Sequence, residues 1–163
     1  MKKSLVALAV SDTHRNTTML NKIVSRFTDV DYVFHLGDNV SDAHYLQERM
    51  QAEVIYVKGN CDFDSNAPGF AEVFLLGQKI ILTHGHTLKV KYSYDRALYY
   101  AQEHEAQALL FGHTHRAYTE YINGVWLINP GSAGEGRAQK ESAARLLITK
   151  MGIVPKILDL NVL

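Results

Sequence analysis

Residues 4–14 read SLVALAVSDTH, a nearly continuous apolar run that ends in polar side chains. An uninterrupted apolar run is typical of a strand covered on both faces of a parallel sheet, whereas a half-exposed strand alternates apolar and polar residues. Asp12 and His14 are therefore predicted to follow a buried strand directly. In α/β proteins, side chains at the carboxyl ends of such strands meet at the edge of the sheet where ligands bind.

The same order, an apolar run followed by a short polar fragment, occurs four more times along the chain. These fragments can deliver carboxylate, carboxamide and imidazole groups from several strand ends to one crevice. Such a crevice predicts a metal centre. The four later fragments are Gly37-Asp38, Gly59-Asn60-Cys61-Asp62, His84-Gly85-His86 and Gly112-His113-Thr114-His115.

The predicted elements begin with a β-α-β-α-β unit, for which right-handed crossovers give parallel strands and an α/β fold. Helices are expected from Asn16 or Thr17 to about residue 28, from Ser41 or Asp42 to about Met50, and after Ser93. The remaining predicted strands are 31–36, 53–57 and 108–111, with hairpins 71–76/79–83 around Gly77-Gln78, 118–122/125–128 around Asn123-Gly124, and 143–149/153–160. Asn129-Pro130-Gly131-Ser132 is expected to form a tight turn, and the loops at 61–70 and 131–142 are each expected to adjoin one of the polar fragments.

Composition limits the class of protein. The length of 163 residues fits one domain over 1–163. Lysine plus arginine number 17, as do aspartate plus glutamate, so no extended positive surface for nucleic acid is expected. No segment is long enough to span a bilayer, and the apolar run at the start is too short for a secretory signal. The single cysteine, Cys61, excludes an internal disulfide, argues against a zinc ribbon and favours a cytoplasmic location.

The donor types predict a particular chemistry. Aspartate, histidine and asparagine suit Mn²⁺, Fe²⁺, Zn²⁺ or Ni²⁺ better than Ca²⁺, and we expect manganese first. The set is too large for one ion, and two ions about 3.5–4 Å apart can hold both oxygens of an in-line displacement. With Asp12 and Asp38 as the only anionic ligands, two divalent ions leave about two positive charges, which favours a small phosphate ester as substrate.

Together the five fragments resemble the signature of the calcineurin-like metallophosphoesterases, which runs Asp-x-His, Gly-Asp, Gly-Asn-[His/Cys]-[Asp/Glu], a later His, and Gly-His-x-His. All blocks occur here in order, over roughly residues 4–132. In length and in the sequences of its motifs the chain is similar to the small YfcE/MJ0936-type phosphodiesterases and to the related Vps29 scaffold. The resemblance implies two packed mixed β-sheets flanked by helices, with metals at the carboxyl ends of strands. It implies that Asp12, His14 and His115 bind one metal, that Asn60, His84 and His113 bind the other, and that Asp38 bridges them.

One position departs from the commonest family pattern. Many members have histidine after the asparagine, placed to protonate the leaving group, whereas this chain has Cys61 followed by Asp62. A thiol with a pKa near 8.5 is a poor acid at neutral pH. We therefore expect esters with good leaving groups to react faster, unless His86 or Asp62 supplies the proton. The catalytic candidates are thus Asp38, Asn60, Cys61, Asp62 and His86.

For several other polar and aromatic residues, a structural or solvent-exposed role is an alternative to a functional one. Arg15, Arg116 and Arg137 can bind phosphate oxygens, although loop arginines are more often solvated. His35 is interpreted as a structural histidine inside a strand, and His44 and His104 as surface residues. A tyrosine group can stack a nucleobase or form a homo-oligomer interface, but core packing is preferred; it comprises Tyr92, Tyr94, Tyr99 and Tyr100.

The sequence thus predicts a phosphodiesterase that uses two metal ions and in-line attack of a metal-bound hydroxide. Two alternatives stay open. One is a phosphomonoesterase acting on small metabolites, because a dianionic ester is attracted by the same charge. The other is a non-catalytic scaffold of the Vps29 type, which binds protein partners through the same fold.

Overall fold

The computed structural model describes residues 2–136 and 139–162. The elements within these residues are β1 Ser4–Val10, α1 Thr17–Arg26, β2 Tyr32–His35, α2 Val40–Arg49, β3 Glu53–Tyr56, β4 Phe70–Leu75, β5 Gln78–Thr83, α3 Asp95–Glu103, β6 Ala108–Leu110, β7 Ala117–Ile122, β8 Val125–Pro130, β9 Ser142–Thr149 and β10 Gly152–Asp159. No helix in these ranges is long and apolar enough to cross a membrane.

The strands form two mixed five-stranded sheets. One has the order β10-β9-β1-β2-β3, in which β1, β2 and β3 are parallel and β9 runs antiparallel to β1. The other has the order β4-β5-β6-β8-β7, in which β5, β6 and β8 are parallel. The predicted α/β architecture of two packed sheets flanked by helices is confirmed.

The faces of β1 show why its sequence is apolar throughout. Ala7 and Ala9 belong to a buried cluster that joins strands of both sheets. Leu8 and Val10, on the opposite face, belong to a second cluster with the apolar side chains of α1 and α2. Both faces of the strand are therefore covered, as the uninterrupted run predicts. A third cluster packs α3 against the outer face of the second sheet.

Helix starts show one prediction confirmed and one wrong. Asn16 caps α1, since its Oδ1 accepts a hydrogen bond from the Met19 backbone N–H at 3.1 Å. Helix α2 begins at Val40, ahead of Ser41 and Asp42, and its N-cap residue Asn39 makes no side-chain cap. The cap comes instead from a side chain in a distant loop, described below. Helix α3 begins two residues after Ser93, whose Oγ accepts from the Asp95 N–H.

Two turns differ in position from the prediction, and one agrees. The β7–β8 hairpin turns at Asn123-Gly124, as predicted, and both residues have the positive φ of a type I′ turn. The β4–β5 hairpin turns at Leu76-Gly77, because Gln78 already pairs with Leu75. Asn129 and Pro130 are the last residues of β8, and the chain turns after them through an Asx-turn, in which Oδ1 of Asn129 accepts from the Gly131 N–H at 2.9 Å.

Candidate metal centre

All of the predicted metal donors follow the carboxyl ends of strands in the structure. Because β1, β2 and β3 belong to one sheet and β5 and β6 to the other, the two sheets supply donors to a common edge. The donors after the first sheet's strands are Asp12 and His14 (β1), Asp38 (β2) and Asn60 (β3). Those after the second sheet's strands are His84 (β5), His113 and His115 (β6).

A first triad consists of Asp12, His14 and His115, whose ligand atoms lie within 4.8 Å of one another. Nε2 of His115 is 3.1 Å from Oδ1 of Asp12. Nε2 of His14 is buried and has no hydrogen-bond partner within the described ranges. A buried imidazole nitrogen that has no hydrogen-bond partner and lies beside a carboxylate is what a cation-binding site without its ion would show.

A second triad consists of Asp12, Asp38 and His84. Nδ1 of His84 donates to the carbonyl oxygen of Leu36 at 2.8 Å, which fixes the tautomer and leaves a lone pair on Nε2. That Nε2 lies 3.4 Å from Oδ1 of Asp38 and 3.0 Å from Oδ1 of Asn60. A lone pair facing two oxygens is stabilised by a cation placed among them.

The two triads share Asp12, whereas the resemblance assigns the bridging role to Asp38. The His113 ring lies 5.0 Å from the His84 ring, so this histidine adjoins the second triad. All of the predicted donors therefore converge on one site. The geometry adds Asp12 as a second carboxylate that can serve both positions.

The backbone of the donors adopts a conformation that side chains rarely permit. Five of them are left-handed: Asp12 (φ 52°), His14 (φ 46°), Asp38 (φ 56°), His113 (φ 68°) and His115 (φ 58°). Such a conformation costs on the order of 1 kcal/mol or more per residue and clusters at functional sites. Hydrogen bonds between the loops hold these residues in place.

Two glycines allow the loops to approach closely enough. A Cβ on Gly59 would lie 2.1 Å from Oδ1 of Asp38, and a Cβ on Gly112 would lie 1.9 Å from Oγ of Ser11. Any side chain at either position would force the neighbouring donor loop away. Gly59 and Gly112, which precede the donors Asn60 and His113, are therefore required because only glycine lets the neighbouring donor loops pack this closely.

A buried network under the first donor loop involves residues that the sequence analysis did not connect. Thr13 Oγ1 donates to Oδ2 of Asp42 at 2.6 Å and lies 2.9 Å from Nε2 of His35. Nδ1 of His35 accepts from the Gly37 N–H, so Nε2 carries the proton and donates to Thr13. Burial lowers the pKa of His35 to about 4, which keeps it neutral. The prediction of a satisfied structural histidine is confirmed.

The pKa values of two donors, Asp12 and His113, are lowered by their surroundings. Burial would raise the pKa of Asp12, but the imidazoles of His115 and His84 and the hydroxyl of Ser11 lower it to about 2. Burial, with His84 and Lys91, lowers the pKa of His113 to about 4. At neutral pH both are in the protonation state that binds metal.

The three candidates for the leaving-group acid have different surroundings. Asp62 accepts from the backbone N–H groups of Asn39, Val40 and Gly59, and thereby caps α2. Partial desolvation of its sulfur and the carboxylate of Asp38 raise the pKa of Cys61. Burial and His84 lower the pKa of His86, whose Nδ1 has no hydrogen-bond partner within residues 2–136 and 139–162.

The other predicted residues are more peripheral. Arg15 and Arg116 are exposed, Arg116 lining a cavity beside Thr114, and Arg137 lies outside the described residues. Tyr94 packs on Phe111 and Tyr118, and Tyr100 stacks on Phe70, in agreement with core packing, whereas Tyr92 and Tyr99 are exposed. His44 is exposed and contacts Tyr56, and His104, which ends α3, is half-buried against Tyr100.

A family model places this arrangement among known proteins. The calcineurin-like phosphoesterase superfamily domain matches residues 5–151. The chain belongs to this superfamily.

Two curated relatives align with most of this chain. YsnB of Bacillus subtilis (strain 168), named a probable metallophosphoesterase, is 36% identical over 146 residues, or 86% of this chain and 82% of YsnB. Phosphodiesterase MJ0936 of Methanocaldococcus jannaschii is 29% identical over 140 residues, or 75% of this chain and 80% of MJ0936. The predicted family resemblance is confirmed.

Solved structures share the fold over nearly the whole chain. A predicted phosphoesterase from Streptococcus pneumoniae TIGR4 superposes with a TM-score of 0.83 at 28% identity, covering 99% of this chain and 92% of that one. Vps29 from Entamoeba histolytica superposes with a TM-score of 0.77 at 20% identity, covering 95% and 99%. The second likeness shows the fold alone.

Proposed function

We propose that this chain is a phosphodiesterase that acts with two divalent metal ions. The observation that supports the proposal most directly is the pair of donor triads that share Asp12 at one edge of the two sheets. Each triad combines carboxylate oxygen with imidazole nitrogen, a set that suits Mn²⁺, with Fe²⁺, Zn²⁺ and Ni²⁺ as alternatives. The first ion is assigned to Asp12, His14 and His115. The second is assigned to Asp38, Asn60, His84 and His113 together with Asp12, the carboxylate that the two triads share.

When bound, a pair of divalent ions would lower the pKa of a coordinated water and stabilise charge on the phosphate oxygens. The chain supplies the geometry for this chemistry. The bond from His84 to Leu36 fixes the direction of Nε2, and the Cys61 backbone N–H donates to Oδ1 of Asp38 at 3.0 Å. Ser11 and the His113 N–H hold Oδ2 of Asp12. These contacts preorganise the donors that would hold the ions.

Charge supports an anionic ester as substrate. With two ionised aspartates and neutral imidazoles, a site holding two divalent ions carries about two positive charges. A diester is preferred in this proposal because MJ0936, a relative over most of the chain, is named a phosphodiesterase. A phosphomonoester would be attracted by the same charge and is the second substrate class to be measured.

The site lacks an efficient proton donor for the leaving group. Asp62 uses its carboxylate to accept three backbone hydrogen bonds, and we assign it a structural role. The raised pKa of Cys61 makes the thiol a poor acid, and the lowered pKa of His86 leaves little imidazolium at neutral pH. The proposed enzyme therefore needs a leaving group that departs as a stable anion.

The proposal is tested by hydrolysis of bis(p-nitrophenyl) phosphate and p-nitrophenyl phosphate after removal of metal and addition of Mn²⁺. We expect metal-dependent hydrolysis with the diester faster, and loss of activity in Asp38→Asn. Asp64→Asn, an exposed acid in the neighbouring loop, is the matched control and should keep the wild-type rate. Faster hydrolysis of the monoester would favour the monoesterase. Metal binding without hydrolysis of either ester would favour a scaffold of the Vps29 type.

A further inference from the structure

Two adjoining cavities lie beside the metal donors, between the end of β5 and the start of α3. The larger, of about 690 Å³, extends from His86 and His113 to Arg96. The other, of about 550 Å³, extends to Thr114 and Arg116. Both are lined by Lys91, Tyr92 and Ser93, which we call the 91–93 ridge. Their volumes are in the range of small-molecule sites. The larger cavity opens directly beside the metal donors.

The lining of these cavities is strongly cationic although the chain as a whole has no net charge. The larger cavity is lined by Lys89, Lys91 and Arg96 against a single acid, Asp95, and the second adds Arg116. Lys91 lines the same cavity as the metal donor His113. Positive charge is thus concentrated where it can attract a second anionic group of a substrate.

An aromatic ring stands at the centre of the same surface. Tyr92 is 90% exposed, although its backbone is ordered by a hydrogen bond from its N–H to the Lys89 carbonyl oxygen at 3.0 Å. The neighbouring Val90 is buried and anchors the segment in the core around α3. An exposed ring on a fixed backbone is suited to stack on a planar ligand group, an interaction worth about 1–3 kcal/mol for a nucleobase.

We propose that the 91–93 ridge is a specificity site for the non-leaving half of the substrate, and that this half is a nucleotide with its own phosphate. In this proposal the base stacks on Tyr92, and the additional phosphate contacts Lys91 and Arg96. The substrate class is then a short nucleotide diester; the balanced charge of the chain argues against long nucleic acid. The inference rests on the proposed phosphodiesterase activity and adds a substrate class to it.

The test uses three p-nitrophenyl diesters with the same leaving group on the Mn²⁺-loaded protein. Their second substituents are methyl, 5′-linked thymidine, and 5′-linked thymidine bearing a 3′-phosphate. We expect kcat/KM to rise at each step. Tyr92→Ala should remove the gain from the nucleoside, about 5- to 150-fold. Lys91→Ala should remove the gain from the 3′-phosphate, about three- to tenfold and smaller at high salt.

The controls are Tyr99→Ala, an exposed tyrosine on α3, and Lys156→Ala, an exposed lysine on β10. Both control variants should keep the two increases in kcat/KM and should hydrolyse the methyl ester like the wild type. Equal kcat/KM for the three esters, or gains that survive both ridge substitutions, would overturn the specificity site while leaving the phosphodiesterase intact. Hydrolysis of none of the esters would overturn both proposals.

Discussion

Nδ1 of His84 lies 2.8 Å from the carbonyl oxygen of Leu36, a residue 48 positions earlier and in the other sheet's donor loop. This bond joins the two sheets at the metal edge. It also turns Nε2 of His84 toward the oxygens of Asp38 and Asn60. The relationship explains how donors from distant parts of the sequence reach a common position with defined orientation.

The shared carboxylate of Asp12 makes the two metal positions interdependent. Asp12→Asn is expected to lose both ions, because the carboxylate belongs to both triads. His14→Ala is expected to lose one ion and retain the other. Elemental analysis of each variant after reconstitution with Mn²⁺ and removal of free metal measures the difference. Two tightly bound ions in Asp12→Asn would show that another group, such as Asp38, is the sole bridge.

Asp62 should contribute to stability more than to catalysis. Asp62→Ala leaves the N-terminus of α2 without its cap and should lower the free energy of unfolding by about 1–3 kcal/mol, measured by urea denaturation. Asp62→Asn keeps an oxygen that can accept from Asn39 and Val40, so it should recover part of that stability and most of the hydrolytic rate. If the hydrolytic rate of Asp62→Asn were as low as that of Asp38→Asn, the result would indicate that Asp62 donates a proton.

The fold was predictable from the sequence because its main signals are local. The apolar run of β1, the Asn16 cap and the Asn123-Gly124 turn each act within a few residues, and each is found as predicted. The start of α2 was missed because its cap, Asp62, lies about twenty residues away in sequence and is recognisable only once β2 and β3 are paired.

The donors of the candidate site were predictable for a related reason. Each follows the end of a strand within five residues, so its position at the sheet edge depends mainly on strand direction. The supporting residues gave no such signal. Thr13, His35 and Asp42 form one buried network, yet Thr13 and Asp42 are 29 positions apart and resemble an ordinary loop residue and a helix-capping residue. Only tertiary packing brings them together.

The leaving group should control the rate. Asp62 is engaged by three backbone N–H groups, the pKa of the Cys61 thiol is raised and that of His86 is lowered, so the site lacks an efficient proton donor. An alkyl aryl phosphate diester should therefore lose its aryloxide at least about 100-fold faster than its alkoxide. Product analysis by phosphorus NMR distinguishes the two departing groups. Equal rates, with chemistry shown to be rate-limiting, would indicate an efficient acid in the site.

His35 should make stability depend on pH. The folded protein holds its pKa at about 4, below the ordinary value of 6.5, so the unfolded chain binds more protons between these values. The free energy of unfolding should therefore fall as pH falls from 6.5 to 4, by up to about 3 kcal/mol. His35→Gln should reduce the slope of this part of the profile in chelator-treated protein and leave the part that His113 contributes. His44→Gln, on the exposed side of α2, is the control and should keep the wild-type slope.

The number of metal ions per chain tests the central claim most directly. Protein purified without chelator, reconstituted with Mn²⁺ and freed of excess metal should contain two ions per chain, and its diester hydrolysis should rise and fall with that occupancy. One ion per chain at full activity, or hydrolysis that persists after complete removal of metal, would contradict a centre built from two donor triads.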